Sequence, residues 1–231
     1  MLLSLALAAL LPATPTLRCD ASDGGTAPRE IAALESHASL AADSALVALY
    51  ESGATFEAFL AGASARREMW LRNWAAAEVP AEVLARAQAV GGRWRLLIVA
   101  VDGCSDSVNT VPYLARLSAL VPSIELRVVQ PGPGKAVMES HRTPDGRAAT
   151  PTVVVLDERG DEAGCWIERP AALQEMAIKA RAEGKIDDFQ KDKQGWYDDD
   201  AGASTLREVV AVIAAAAAGT PACGSTPART P

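Results

Sequence analysis

Three observations predict an α/β fold, a sheet covered by helices and entered through a helical segment. Leu96, Leu97, Ile98, Val99, Ala100 and Val101 form an unbroken apolar run. A strand without polar alternation is buried on both faces, as in a sheet packed under helices. Directly after it, Val108, Val111, Leu114, Ala115, Leu117 and Leu120 recur at spacings of three and four, the pattern of a helix with one buried stripe. Further on, short apolar runs at 124–129, 152–156 and 162–167 are separated by turn signals and a helical stretch, so strands and helices are mixed along the chain.

The elements follow in order. Residues 29–50 carry helical apolar spacing from Ile31 to Leu49, and Ser52-Gly53 ends that stretch. A second helix starts at Thr55 with Phe56 and Phe59, and Gly62 and Ser64 are placed to break it before Met69, Trp70 and Trp74. Those aromatics suit core packing, or alternatively a partner surface. Pro80 opens a third helix, 81–90, closed by Gly91-Gly92. Pro122 ends the central helix, and Pro131-Gly132-Pro133-Gly134 turns the chain into a short helix at 135–141. Thr150-Pro151 opens the third strand; from the residues alone a proline there is ordinarily trans. Asp157 to Asp161 forms a hairpin turn, and 171–183 is helical. The very polar stretch 184–203 reads as a solvated loop, and its Asp198-Asp199-Asp200 cluster fits no calcium-loop spacing. Ser204 is placed to cap a last helix, 206–218.

Composition narrows the function classes. The 231 residues suit one domain with additions. The formal charge is −7 and no basic patch stands out, which argues against a nucleic-acid partner. Four cysteines and two histidines, His37 and His141, are scattered without zinc-site spacing, so no metal or other cofactor is expected. The apolar Met1–Pro12 segment is too short to span a bilayer and reads as a signal peptide, although a basic start is missing. Cleavage is placed after Ala13 or Ala21. The expected organisation is then a signal peptide at 1–21, a linker at 22–29, a helical extension at 30–92, the sheet-containing domain at 93–219 and a disordered tail at 220–231. A periplasmic or secreted protein is expected, with no membrane contact after cleavage, and in that setting disulfides persist.

The chemistry centres on Cys104. Asp102-Gly103 breaks the first strand, so Cys104 falls where the buried strand hands over to the helix. A thiol there faces unpaired backbone N–H groups and the positive end of the helix dipole, and both favour the thiolate. Ser107, one turn on, suits either donation to that thiolate or helix capping. Cys165 in the fourth strand suits a buried small residue, a resolving thiol or a disulfide partner, including a bond to Cys104. Cys19 and Cys223 flank the domain and would tie its ends together if both remain.

The order strand, Cys at a helix start, helix, strand, helix, X-Pro, strand, hairpin, strand, helix resembles the thioredoxin fold, a central mixed sheet flanked by helices. Gly103-Cys104-Ser105-Asp106-Ser107 sits where thioredoxins carry W-C-x-x-C. Pro112 matches a helix proline, Thr150-Pro151 the cis-proline and Gly160 the hairpin glycine. The chain also resembles a bacterial thioredoxin-like family with an N-terminal helical extension. The segments C-S-D-S-V-N-T-V-P, P-T-V-V-V-L-D and W-I-E-R-P carry that likeness, through Cys104, Asp106, Asn109, Pro112, Pro151, Trp166, Arg169 and Pro170. Gly103 departs from the family tryptophan, and Ser107 from the second cysteine.

The resemblance implies a monothiol site. Cys104 would act as the nucleophile, Ser107 would assist it, and Thr150, Pro151, Asp106, Trp166 and Arg169 would border a substrate groove. Asp106 and Asn109 are expected to be exposed near the helix start. The implied substrates are protein disulfides or thiols, with a small thiol as an alternative partner. The competing expectation is a redox-inactive module of the same fold that binds extended peptides in that groove.

Overall fold

The structure is a computed structural model that describes residues 44–224. The expected signal peptide, linker, most of the first predicted helix, Cys19 and the end of the tail lie outside the described residues. Helix α1 covers residues 44–52. Then come α2 (Phe56–Gly62), α3 (Arg67–Ala76), α4 (Ala81–Ala89), β1 (Trp94–Val99), α5 (Ser105–Leu120), β2 (Ile124–Val129) and α6 (Lys135–Ser140). They are followed by β3 (Thr152–Leu156), β4 (Glu162–Ile167), α7 (Ala171–Ala182), α8 (Ile186–Asp200), α9 (Ala203–Ala217) and β5 (Ala222–Gly224).

The strands form one mixed sheet in the order β2-β1-β3-β4-β5. β1 runs parallel to β2 and antiparallel to β3, while β4 is antiparallel to β3 and parallel to β5. The unbroken apolar run of β1 is explained by two packed faces. Leu96 and Ile98 join Val153 and Val155 in a core with residues of α2 to α5 and α9. Leu97 and Val99 join Val154 and Leu156 against Tyr50 of α1 and Val137 of α6. Of the aromatics Phe59, Trp70 and Trp74, the first two are buried in the first of these cores and the half-buried Trp74 packs against it.

Local signals set the element boundaries. Thr55 caps α2, its Oγ1 accepting the Ala58 N–H at 3.2 Å. Gly160 turns the β3–β4 hairpin with φ 92°, and a Cβ there would lie 2.1 Å from Val47 Cγ2. The Pro112 ring is tolerated inside α5, which continues to Leu120.

Three expectations need correction. Residues 186–200 form α8, not a loop: Phe189, Lys193 and Tyr197, at helical spacing, are buried. Ser204 does not cap α9. The cap is Gly202, and Ser204 lies in the first turn with its N–H and hydroxyl on Asp200. The start of the predicted disordered tail is strand β5, joined to β4 by a Cys165–Cys223 disulfide across 58 positions. That pairing replaces both the Cys19–Cys223 and the Cys104–Cys165 bonds. Gly164 makes room for it, since a Cβ there would lie 2.6 Å from the Ala222 carbonyl oxygen.

Two predictions arise here. Cys223→Ser should lower the unfolding free energy by about 2–4 kcal/mol, the usual effect of opening a long loop, read from urea titrations. The second concerns His141, whose Nε2 meets Glu162 at 2.8 Å and ties the end of α6 to β4. The Glu162 hydrogen bond holds the imidazole above its ordinary pKa. A group raised on folding stabilises fully below its unfolded value, ~6.5, and that contribution fades as pH rises through the folded value. Glu162→Gln should therefore cost up to about 1 kcal/mol at pH 6 and close to nothing at pH 9, compared by thermal unfolding at both.

Candidate functional site

Cys104 stands at the join of β1 and α5, as the residue that caps the helix. Its backbone is extended (φ −77°, ψ 124°), and its Sγ accepts the Ser107 N–H at 3.4 Å. The thiol donates to the Thr150 carbonyl oxygen at 3.2 Å. The Thr150-Pro151 peptide is cis. Cys104 is partly exposed and is the free cysteine among the described residues. Cysteine and X-Pro turn therefore face one another, although 46 positions separate them.

The helical segment before the sheet supports the Cys104 loop. The Trp70 indole N–H donates to the Asp102 carbonyl at 2.9 Å from a fully buried ring. The Asp102 carboxylate accepts the Ser64 and Ala65 N–H groups, each at 2.8 Å, and these backbone donors hold it below the usual carboxylate range. Arg66 Nε donates to the Gly103 carbonyl at 2.8 Å. Ala65 Cβ would lie 3.7 Å from a Gly103 side chain, so the α2–α3 connection flanks the position where thioredoxins carry tryptophan.

Beneath the start of α5 lies a charged cluster. Asp106 is 5% exposed, and its carboxylate accepts from Arg169 and Lys193 at 3.1 Å each and from the Tyr197 hydroxyl at 2.8 Å. Burial, reinforced by the Asp106 charge, pushes the Tyr197 phenol well above its ordinary value, so it stays a neutral donor. Arg169 also pairs with Glu168, and Glu168 receives both arms of Arg147 at 3.2 and 2.7 Å. The Arg169 guanidinium stands 5.4 Å from the Phe189 ring centre. Asn109 is buried as well, bonded to Asn73 and Gln194.

Several sequence expectations change. Asp106, Trp166 and Arg169 are buried and engaged with the protein itself, where the resemblance implied residues open to a groove. Asp106 is drawn in because Arg169 and Lys193 neutralise it, and Asn109 because its amide bridges α3 and α8. Trp166 donates to Glu208 at 2.7 Å, a carboxyl that burial pushes up. Ser107 is fully buried and its hydroxyl meets no hydrogen-bond partner among the described residues; its backbone N–H makes the contact to Cys104 instead. Cys165 is fully buried and bonded to Cys223, so it is no resolving thiol for Cys104. Thr150 and Pro151 do lie against Cys104.

Sequence reasoning missed Lys193, Tyr197, Glu168, Trp70 and Asp102 as parts of this region. The Lys193–Tyr197 spacing of four was a helical signal, but nothing local pointed it at Asp106.

A comparison with curated proteins finds no match. Among solved structures, a Pseudomonas aeruginosa protein of unknown function is 25% identical with a TM-score of 0.56, over 71% of this chain and 94% of that one. An HIV epitope-scaffold is 24% identical with a TM-score of 0.55, over 72% of this chain and 96% of the scaffold, and shows the fold alone. A family model described as thioredoxin matches residues 53–183, more than half of the chain. With the mixed sheet, the cysteine capping the helix after β1 and the facing cis-proline, this match places the chain in the thioredoxin family.

Proposed function

We propose that this chain carries out monothiol thiol–disulfide exchange through Cys104, on exported proteins or on small thiols. The observation that carries the reading is a partly exposed thiol at the cap of α5, set against the Thr150 carbonyl of a cis-proline turn, with serine where a second thiol would stand. The Cys104 thiolate attacks one sulfur of a disulfide R–S–S–R′. A Cys104–S–S–R bond forms, the original S–S bond breaks, and R′–S⁻ leaves and takes a proton from solvent. Ser107 cannot displace R and Cys165 is already bonded, so a second thiol must attack the adduct and release Cys104. An oxidising compartment is supported by the Cys165–Cys223 disulfide, since such bonds persist outside the cytosol.

The test is turnover of a peptide disulfide with and without added glutathione. Wild-type protein should catalyse exchange only with the small thiol present, and Cys104→Ser should lose it completely while unfolding within about 1 kcal/mol of wild type. Peptide binding without exchange, unchanged in Cys104→Ser, would identify a redox-inactive binding module instead.

A further inference from the structure

One buried carboxylate joins the cis-proline turn to the Cys104 helix. Glu168 is 5% exposed and follows β4 with φ 67°, a left-handed conformation that few residues other than glycine adopt. Its contacts run in two directions. Toward the turn, its backbone N–H donates to the Pro151 carbonyl at 2.7 Å, and its carboxylate clamps both arms of Arg147, in the loop that leads into Pro151. Toward the helix, the same carboxylate pairs with Arg169, whose Nη2 holds Asp106 at 3.1 Å, in the first turn after Cys104. Buried ion pairs are a weak source of stability because desolvation offsets the attraction. What this one fixes is geometry: it is a continuous charged path between the two segments that meet at the thiol.

Resting on the exchange reading above, we propose that Glu168 is a positioning residue: it holds the Thr150-Pro151 turn against Cys104, so that a disulfide in an extended peptide lying along the turn meets the sulfur in line. It does not touch substrate. A small disulfide that does not use the turn is indifferent to it.

Arg147→Gln is the first variant, because its side chain is a third exposed and its ion pairs run to Glu168 and Asp145. Glu168→Gln is the second. Mixed-disulfide formation at Cys104 is timed with two probes, an extended peptide disulfide and 2-hydroxyethyl disulfide. In both variants the peptide rate should fall about ten- to a hundredfold, the usual penalty for misplacing reacting groups by about 1 Å. The 2-hydroxyethyl disulfide rate should change by less than about twofold, and Arg147→Lys should restore only part of the peptide rate, since it returns the charge without the fork. Equal losses with both probes, or no loss with either, would overturn the proposal.

A second measurement does not depend on exchange. In Arg147→Gln the amide resonances of Cys104 and Thr150 should move; if changes stay confined to the neighbours of Arg147, the positioning role is wrong. Amide shifts in a protein whose Cys104 reacts with neither probe would instead contradict the exchange reading and leave the positioning role standing.

Discussion

Replacing Asp106 by alanine should lower the unfolding free energy by about 3–5 kcal/mol, the range for removing one member of a buried ion pair. The Asp106 carboxylate has three partners among the described residues, Arg169, Lys193 and Tyr197, and both cations are nearly fully buried. With Asp106 gone, Lys193 stays desolvated without its carboxylate and Arg169 keeps only Glu168, which costs more than the pair itself was worth. Two further variants separate this cause from lost packing. Asp106→Asn keeps an acceptor of the same shape and should still lose well over 1 kcal/mol. Combining Asp106→Leu with Lys193→Met removes charges of both signs and should recover part of the loss. Urea unfolding of all three decides the matter. An Asp106→Ala protein within about 1 kcal/mol of wild type would mean that the cluster does not hold α8 to α5.

Trp70→Ala should cost a similar about 3–5 kcal/mol, as large-to-small changes of a fully buried tryptophan do. The ring is 0% exposed, sits 5.2 Å from Phe59 edge-on, and carries the indole bond to Asp102. Trp70→Phe separates the two contributions. It keeps most of the apolar contact and drops the hydrogen bond, so a loss of about 1–3 kcal/mol is expected from the unmet Asp102 carbonyl and the smaller ring. Because Trp70 fixes the residues just before Cys104, Trp70→Phe should also slow reaction of Cys104 with a disulfide probe more than Phe59→Leu does, although the latter also alters the core. Equal slowing in both would show that Trp70 acts on the core and not on the loop.

β1 and β3 were legible because each is an almost unbroken apolar run, as burial of Leu96 to Val99 and Val153 to Leu156 on both faces requires. The cysteine and its turn were legible because their signals are local, an Asp-Gly break before Cys104 and a proline at the head of β3. What stayed hidden depends on partners far along the chain. Lys193 interrupts the apolar stripe of α8, so 186–200 looked like solvated loop until Asp106, 87 positions away, explained why a lysine is inside. Asp106 and Asn109 looked exposed for the same reason, since a polar residue near a helix start ordinarily faces water. β5 is too short to be seen in sequence; it pairs because Cys223 bonds Cys165 and Gly164 leaves space for the approaching backbone.

The proposed exchange requires a thiol that forms mixed disulfides and cannot resolve them alone. The most direct measurement is the intact mass of the protein after treatment with excess oxidised glutathione, acid quenching and peptide mapping. Peptide mapping should place one glutathione on Cys104, counted apart from any on Cys19, stable until a second thiol is added and missing from that position in Cys104→Ser. An unmodified Cys104, or an adduct that resolves without added thiol into a bond within the chain, would contradict monothiol exchange.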